Sequence, residues 1–240
     1  MKKVTLLVTM LAIWALGAGS ARAQDEIVPK GFINIDAGAQ PQRQTITATN
    51  SFPLYDETTT ITVSQRIRNG GVFDVSGGVR IGYNLTAGAG YSAFGRAGTG
   101  VVSASIPSPR AFDSPLLVTR DAANLDHSER AIHGRITWFV PMTDKIDVSV
   151  SGGPSFIHVA QGLATGVDVA PGTQSISLGT ATQSGNTFGI NAGIDGNMMF
   201  VPGFGAGVWI RYSYGKLDLP DVKGLRVGGI QGGIGFRARF

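Results

Sequence analysis

The residues best suited to chemistry in this chain are its three histidines, and one of them stands in a run that invites a catalytic interpretation. His127 is followed by Ser128 and Glu129, the residue types of a hydrolase triad. In an extended strand, Ser128 points away from the face that His127 and Glu129 share, so no nucleophile meets its base within the run. A hydroxyl from a neighbouring strand would be required. We therefore predict no catalytic residue.

Metal and cofactor sites are not supported by the residue types and their spacing. The chain has no Cys, and no cluster of His, Asp and Glu has metal-ligand spacing. Gly203, Gly205 and Gly207 alternate with other residues, but the glycine that a dinucleotide-binding loop needs at its sixth position is absent, and no helix follows. We expect no metal and no cofactor.

The elements that would position any site are strands, because apolar and polar residues alternate with a period of two. Glycine is abundant, at 35 of 240 residues, and is spread through these segments instead of being clustered in linkers. Eight alternating segments are predicted, over about residues 31–40, 72–83, 85–95, 130–140, 145–158, 187–200, 204–216 and 225–240.

The connections between these segments alternate in length. Tight turns join segments two and three, four and five, and six and seven, whereas the loops at about 41–71, 96–129, 159–186 and 217–224 are long. Loop one holds Thr-rich alternating stretches that would continue the first hairpin, and loop two is rich in Pro. Short turns at one end and long loops at the other are typical of a membrane β-barrel. The predicted fold is all-β: an eight-stranded antiparallel up-and-down transmembrane β-barrel with short periplasmic turns and longer extracellular loops.

The two faces of the predicted strands differ in chemistry. The apolar face would meet lipid, with aromatic side chains at two levels: Tyr83, Trp138, Phe200, Phe204 and Phe240 near the short turns, and Phe156, Tyr212 and Tyr214 near the long loops. The other face would line the lumen. We predict a structural polar network there, formed by Asp36, Asp74, Arg80, Arg135, Asp147, Asp195, Arg211, Arg237 and Arg239, with Glu129, Arg96 and His133 on the same face. Charges buried in so narrow an interior should pair and plug it.

The N-terminus predicts export. Lys2 and Lys3 precede an apolar run, and Ala21-Arg22-Ala23 has the form of a cleavage site. We expect residues 1–23 to be a signal peptide and residues 24–240 to be the barrel domain. Since Lys2, Lys3 and Arg22 would leave with the peptide, 17 basic residues would face 16 acidic ones, a net charge of +1. This balance gives no support to nucleic-acid binding.

The signal peptide, the eight alternating segments, the aromatic levels and the closing strand that ends on Phe240 together resemble the small eight-stranded outer-membrane barrels of the OmpA-like superfamily, also called opacity-type or porin-family barrels. The resemblance implies the cell outer membrane as the location. It also implies that Phe236 and Phe240 form the assembly signal that the barrel-assembly machinery reads.

The resemblance implies a role in membrane integrity, surface adhesion or small-solute passage. We expect a non-enzymatic, monomeric integral barrel whose loops make contacts outside the cell and whose partners include outer-membrane lipid and lipopolysaccharide. The alternatives are a narrow passive channel, a barrel enzyme that modifies lipid A, and a soluble eight-stranded barrel with an apolar interior.

Overall fold

The computed structural model describes residues 30–41, 44–67, 69–108, 110–122, 125–169 and 176–240. The expected signal peptide, residues 1–23, lies outside this part of the chain. No helix long and apolar enough to cross a bilayer occurs among the described residues.

Twelve strands occur in the described part of the chain. They are β1 (Gly31–Gln40), β2 (Gln44–Leu54), β3 (Glu57–Ile67), β4 (Gly70–Arg80), β5 (Leu85–Arg96), β6 (Gly100–Ser108), β7 (Ala111–Ala122), β8 (His127–Pro141), β9 (Ile146–Val169), β10 (Ile176–Val201), β11 (Phe204–Leu217) and β12 (Leu225–Arg239).

Eight of these strands form a closed barrel in the order β1-β12-β11-β10-β9-β8-β5-β4, and β4 pairs again with β1. Every neighbouring pair is antiparallel, and the closing pair of β1 and β12 runs from Phe32↔Arg239 to Ala39↔Gly232. The prediction of an eight-stranded antiparallel up-and-down barrel is therefore confirmed. Closure removes the free edges that an open sheet would expose.

The four remaining strands form a separate sheet in the order β2-β3-β6-β7, at the long-loop end of the barrel. We call it the outer sheet. The Thr-rich stretches were expected to continue the first hairpin. They do pair with each other, since β2 and β3 form a hairpin from Gln44↔Ile67 to Leu54↔Glu57. However, β3 then pairs with β6 and not with a barrel strand.

The prediction that residues 96–129 form one long loop is wrong, because β6 and β7 lie within it. Val102, Ala104 and Ile106 alternate with polar neighbours and bury one face of the outer sheet against Ile61 and Val63. Two prolines of this segment lie within its strands: Pro115 in β7, and Pro107 at the register shift of β6. Proline is tolerated in edge strands and at irregular positions, and β7, which holds Pro115, is an edge strand of this sheet.

The prediction that residues 159–186 form a loop is also wrong, since β9 and β10 extend through most of it. They are 24 and 26 residues long, and their pairing continues to Ile176↔Val169. A strand needs only about 9–11 residues to cross a bilayer. At ~3.3 Å per residue, this hairpin therefore extends far past any membrane-spanning part of the wall.

The barrel wall is apolar outside and polar inside. All eight aromatic residues predicted for the two levels are exposed, as are large aliphatic side chains between them, such as Ile136, Ile194 and Val208. The inward positions of the same strands carry buried Ser, Thr, Asn, Asp and Arg side chains. This distribution is the reverse of that in a soluble barrel, and it contradicts the alternative of an apolar interior.

Candidate functional site

The centre of the lumen holds a continuous chain of six charged side chains, which we call the lumen ion chain. It alternates acid and base and is electrically neutral. Its members come from six strands and are linked in this order: Asp36 to Arg237 at 2.5 Å, Arg237 to Asp195 at 3.4 Å, Asp195 to Arg211 at 3.6 Å, Arg211 to Asp74 at 2.8 Å, and Asp74 to Arg135 at 2.8 Å. Three of the five pairs, Arg237–Asp195, Arg211–Asp74 and Asp74–Arg135, connect strands that are not neighbours in the barrel, so the lumen ion chain crosses the lumen.

The members of the lumen ion chain are almost completely shielded from solvent. Asp36, Asp74 and Arg237 have no exposed side-chain surface, and the other three are buried as well. A charge in such surroundings is stable only when a partner and additional hydrogen bonds replace its lost hydration. Because three acids are paired with three bases, the lumen ion chain as a whole meets the requirement for partners.

A second ion pair lies next to the lumen ion chain, toward the short-turn end. Arg239 pairs with Asp147 through the two terminal nitrogens of its guanidinium, Nη1 and Nη2. Asn197 joins the two groups, because its amide donates to Asp147 at 2.9 Å while its Oδ1 accepts from Arg237 at 2.6 Å. The polar network therefore continues to this end of the lumen.

Glycines beside the charged side chains make the space that the network occupies. A Cβ on Gly235 would lie 1.9 Å from Asp36 Oδ1, and one on Gly90 would lie 2.8 Å from the Arg135 guanidinium carbon. Both contacts are too short for any real side chain. Glycine at these inward positions thus leaves the volume that the charged groups occupy, in a barrel of eight strands that is just wide enough for side chains to fill.

Apolar side chains also fill the lumen, and Phe32 and Phe139 were not predicted there. Phe32 and Phe139 meet edge to face at 5.6 Å near the short turns. Trp209 is buried with Val72 and Phe94, and the guanidinium of Arg211 lies 5.1 Å from its ring. Trp138 faces outward, so the alternation along β8 places the next residue, Phe139, inside the barrel. The sequence therefore contained the information needed to predict Phe139 in the lumen.

The long-loop end of the lumen is closed by a further apolar cluster. Leu219 and Val222, from the connection between β11 and β12, pack there against residues such as Ile157 and Leu225. Apolar groups therefore lie at both ends of the lumen, and paired charges lie in the middle.

His127 and His133 are buried and hydrogen-bonded through both ring nitrogens. His133 lies between the hydroxyls of Ser92 and Ser155, at 2.8 Å from each. His127 contacts Glu129 with Nε2 at 2.8 Å and Gln161 with Nδ1 at 2.7 Å. Because both ring nitrogens of His127 are engaged by oxygens of Glu129 and Gln161, neither is available to activate a hydroxyl.

Eight of the nine residues proposed for the lumen network lie together inside the barrel, whereas Arg80 is exposed. Arg80 is the last residue of β4 and its side chain is exposed, because an inward position at a strand end points past the rim of the barrel. Arg96, at the end of β5, is exposed for the same reason, whereas Glu129 and His133 are buried. Among the described residues, no group of three or more His, Asp or Glu side chains is arranged to hold a metal ion.

The two residues proposed for assembly, Phe236 and Phe240, both face outward. Phe236 stacks on Phe204 of the neighbouring strand with ring centroids 5.9 Å apart. The backbone of Phe240 exchanges two hydrogen bonds with Gly31, which continues the closing pair of strands to the end of the chain.

An eight-stranded antiparallel barrel with an apolar exterior and a charged, filled lumen defines the class of small outer-membrane-type β-barrels. No protein-family model matches the chain, and no curated protein is similar to it in sequence.

Solved structures with a similar fold include three outer-membrane or surface proteins. Neisserial surface protein A is 14% identical, with 88% of this chain and 97% of that one covered and a TM-score of 0.48. The outer membrane protein OprG from Pseudomonas aeruginosa is 10% identical, with 89% and 97% covered and a TM-score of 0.48. The outer membrane protease OmpT from Escherichia coli is 8% identical, with 87% and 97% covered and a TM-score of 0.44.

Proposed function

We propose that this protein is a non-enzymatic integral barrel of the outer membrane whose lumen is plugged and whose outer sheet and long hairpin make contacts outside the cell. The observation that carries the proposal is the contrast between the two sides of the wall. The outside presents a belt of exposed aliphatic and aromatic residues, while charges are paired and buried inside. A surface of this kind is stable only against lipid.

The short turns support an orientation with that end in the periplasm. They connect β4 to β5, β8 to β9 and β10 to β11, and both chain ends of the barrel lie beside them, as the bonds between Gly31 and Phe240 indicate. Outer-membrane barrels have this arrangement of short periplasmic turns and long extracellular loops. The predicted signal peptide, residues 1–23, would deliver the chain across the inner membrane.

The outer sheet is the best candidate for contacts with other molecules. Phe112 and Leu117 of its edge strand β7 are each 78% exposed, and they are displayed at the end that we assign to the outside. Loops carried on a rigid scaffold are common places for binding. Replacing both residues with Ser should reduce adhesion of expressing cells to host-cell or matrix surfaces while leaving the amount of protein at the cell surface unchanged. Unchanged adhesion would argue against this role.

Passage of solutes is the second candidate, and one observation favours it. Several buried lumen atoms have no hydrogen-bond partner among the described residues, including Asp36 Oδ2, Asn191 Oδ1 and Trp209 Nε1. Buried polar atoms usually bond to protein or water, and water bonded to these atoms would form a hydrated path through the lumen. The plugged barrel predicts no resolved single-channel steps in planar bilayers. Steps that disappear in Arg211→Ala or Asp36→Ala would establish the channel instead.

Modification of lipid A is not favoured, because both ring nitrogens of His127 are hydrogen-bonded, one to Glu129 and one to Gln161. Overexpression should leave the mass spectrum of lipid A unchanged, and a new lipid A species that depends on His127 would refute the non-enzymatic assignment. The remaining partners follow from the barrel itself: the barrel-assembly machinery, which we expect to read Phe236 and Phe240, and lipids of the outer membrane. We expect a monomer.

A further inference from the structure

Four buried polar side chains form a series of hydrogen bonds between the barrel and the outer sheet. We call Glu129, His127, Gln161 and Gln65 the junction network. Glu129 and His127 lie on β8, Gln161 lies on β9, and Gln65 lies on β3 of the outer sheet. None of the four is more than 5% exposed. In surroundings that exclude water, such a network is stable only while every donor faces an acceptor.

The junction network ends in the core of the outer sheet. His127 Nε2 contacts Glu129 Oε1 at 2.8 Å, and His127 Nδ1 contacts Gln161 Oε1 at 2.7 Å. The Gln161 amide donates to Gln65 Oε1 at 2.7 Å, and the Gln65 amide donates to the carbonyl of Leu125. Leu125 is fully buried in the apolar cluster of the outer sheet. The orientation of these side chains therefore couples the barrel wall to that sheet.

At its other end, the junction network crosses the lumen. Glu129 Oε2 accepts a hydrogen bond at 2.8 Å from the backbone of Gly228 on β12, and β8 and β12 are not neighbours in the barrel. Gly228 has a φ of +85°, and a Cβ on it would lie 2.4 Å from the backbone oxygen of Ser213. Glycine alone fits this conformation without strain. Its amide is therefore held in a fixed direction toward the carboxylate.

The hydrogen-bond partners fix the number of protons that His127 and Glu129 hold between them. Gln161 donates its amide protons to two carbonyl oxygens, so its Oε1 faces His127 and the ring Nδ1 must carry a proton. Glu129 Oε2 accepts from a backbone amide and carries none. One proton is left between Nε2 and Oε1, whichever atom holds it. A further proton would set two donors against each other at one of the two carboxylate oxygens.

Charged groups on the neighbouring elements do not pair with His127 or Glu129. Arg96 on β5 is opposite His127 in the register and is exposed, as are Arg130 and Asp126. Asp126 accepts a hydrogen bond from a backbone amide at 3.2 Å. Among the described residues, neither His127 nor Glu129 makes an ion pair with a third group. The side chains bonded to this region from β9, β3, β1 and β12 are the neutral amides of Gln161, Gln65, Gln40 and Gln231.

We propose that the His127–Glu129 pair is a proton-controlled latch, which holds the outer sheet on the barrel while the pair shares one proton and releases it when acid adds a second. The second proton forces the ring or the carboxylate to turn away, and the bonds that orient Gln161 and Gln65 are lost with it. The outer sheet stays attached through its connecting loops, but its buried face opens to water. The release is independent of the proposed function; its effect on contacts outside the cell rests on that function.

The test is hydrogen–deuterium exchange of the purified, refolded protein in detergent micelles. Each exchange rate is divided by the intrinsic rate at the same pH, so that only protection is compared. Loss of one hydrogen bond to a charged group corresponds to roughly 10- to 100-fold in protection. Protection of β3 and β6 should fall by this factor between about pH 7 and about pH 4, where model carboxylates take up a proton.

Three variants separate the pair from the other carboxylates. In E129Q the new amide can donate to Nε2 of neutral His127 while its oxygen accepts from Gly228, so the first proton on the ring already opposes two donors. E129Q should therefore release the sheet at a higher pH than the parent. H127Q/E129Q has no titrating group in the latch, and its protection should be the same at both pH values. The matched control D126N removes an exposed carboxylate next to the latch and should follow the parent.

The proton count has its own readout in 15N NMR. The chain has three histidines, so labelling with 15N-histidine gives few ring signals, and H127Q identifies those of His127. At about pH 7, Nδ1 of His127 should be protonated in the parent and in E129Q. This measurement on the parent decides the matter if a variant fails to fold, which heat-modifiable gel mobility would reveal.

Four results would overturn the proposal: an unprotonated Nδ1, equal protection of the parent at both pH values, release of E129Q at the same pH as the parent, or loss of the pH response in D126N. A parent that is absent from the outer membrane but releases its outer sheet in acid would refute the proposed function and leave the latch standing.

Discussion

Removal of Arg237 from the lumen ion chain should destabilise the barrel far more than removal of a surface charge. The guanidinium of Arg237 is fully buried and contacts Asp36 at 2.5 Å, Asn197 at 2.6 Å and Asp195 at 3.4 Å. In R237M, Asp195 keeps Arg211 as a partner, but Asp36 loses the only ion pair that it makes among the described residues. Breaking a buried pair in this way costs about 3–5 kcal/mol, because the remaining charge is left without compensation.

The same reasoning predicts the behaviour of the double variant D36N/R237M. Removing both charges leaves no uncompensated ion, and replacement of a whole buried pair is often close to neutral. The double variant should therefore recover most of the stability that R237M loses. The difference between the single and double variants measures the penalty of the isolated charge rather than the value of the pair.

The assay is urea unfolding of the barrel in lipid vesicles, followed by tryptophan fluorescence, since Trp209 is buried in the lumen. With an m-value of about 2–3 kcal/mol/M, a loss of 3–5 kcal/mol lowers the midpoint by on the order of 1–2 M. K145M, which removes an exposed charge, should stay within about 0.5 kcal/mol. The reasoning is refuted if R237M and K145M unfold alike, or if D36N/R237M is less stable than R237M.

Three other perturbations test separate parts of the structure. G235A should lower the midpoint of urea unfolding, because its Cβ would lie 1.9 Å from Asp36 Oδ1, whereas G71A, where a Cβ meets nothing within 4 Å, should not. I194R, on the exposed outer face, should cost about 2–4 kcal/mol in vesicles if it lies at the depth of the bilayer midplane. Deletion of Phe240 should reduce the amount of protein assembled in the outer membrane in cells, while chain that has been folded in vesicles keeps nearly its full stability.

Each of these three has a result that would count against it. Equal midpoints for G235A and G71A would mean that the lumen has spare volume beside Asp36. An I194R variant as stable as the parent would mean that this face does not meet hydrocarbon. Normal assembly without Phe240, judged by heat-modifiable mobility of membrane fractions, would remove the proposed role of the closing strand in recognition.

Alternation predicted the barrel strands because a wall that separates lipid from a polar lumen imposes a strict period of two. β1 and β11 show this best: Ile33 and Ile35 flank inward polar residues, and the alternation from Phe204 to Tyr214 continues without a break. The same parity is sufficient to assign Asp36, Asp74 and Arg211 to one shared interior. It could not give their partners, since those depend on register and barrel closure.

Prediction of strands from the sequence failed in two situations. In one, the alternation reflects burial in the outer sheet and not in the barrel wall; in the other, the strand extends beyond the part that has one lipid-facing side. β6 buries Val102 and Ala104 in the outer sheet and not in a barrel wall, so its alternation did not fit the expected eight segments. β9 and β10 continue past the lipid, where exposed polar residues such as Thr182 and Ser184 no longer mark one face. Arg80 follows the parity but lies at a strand end, where an inward direction no longer leads into the lumen.

The claim that the wall faces lipid is tested most directly by fractionating cells that express the full chain and running the fractions on gels with and without boiling. The apolar belt predicts that the protein sediments with the outer membrane, requires detergent for release and migrates faster when unboiled than when boiled. A protein recovered in the soluble periplasmic fraction, with the same mobility before and after boiling, would contradict the assignment as an integral outer-membrane barrel.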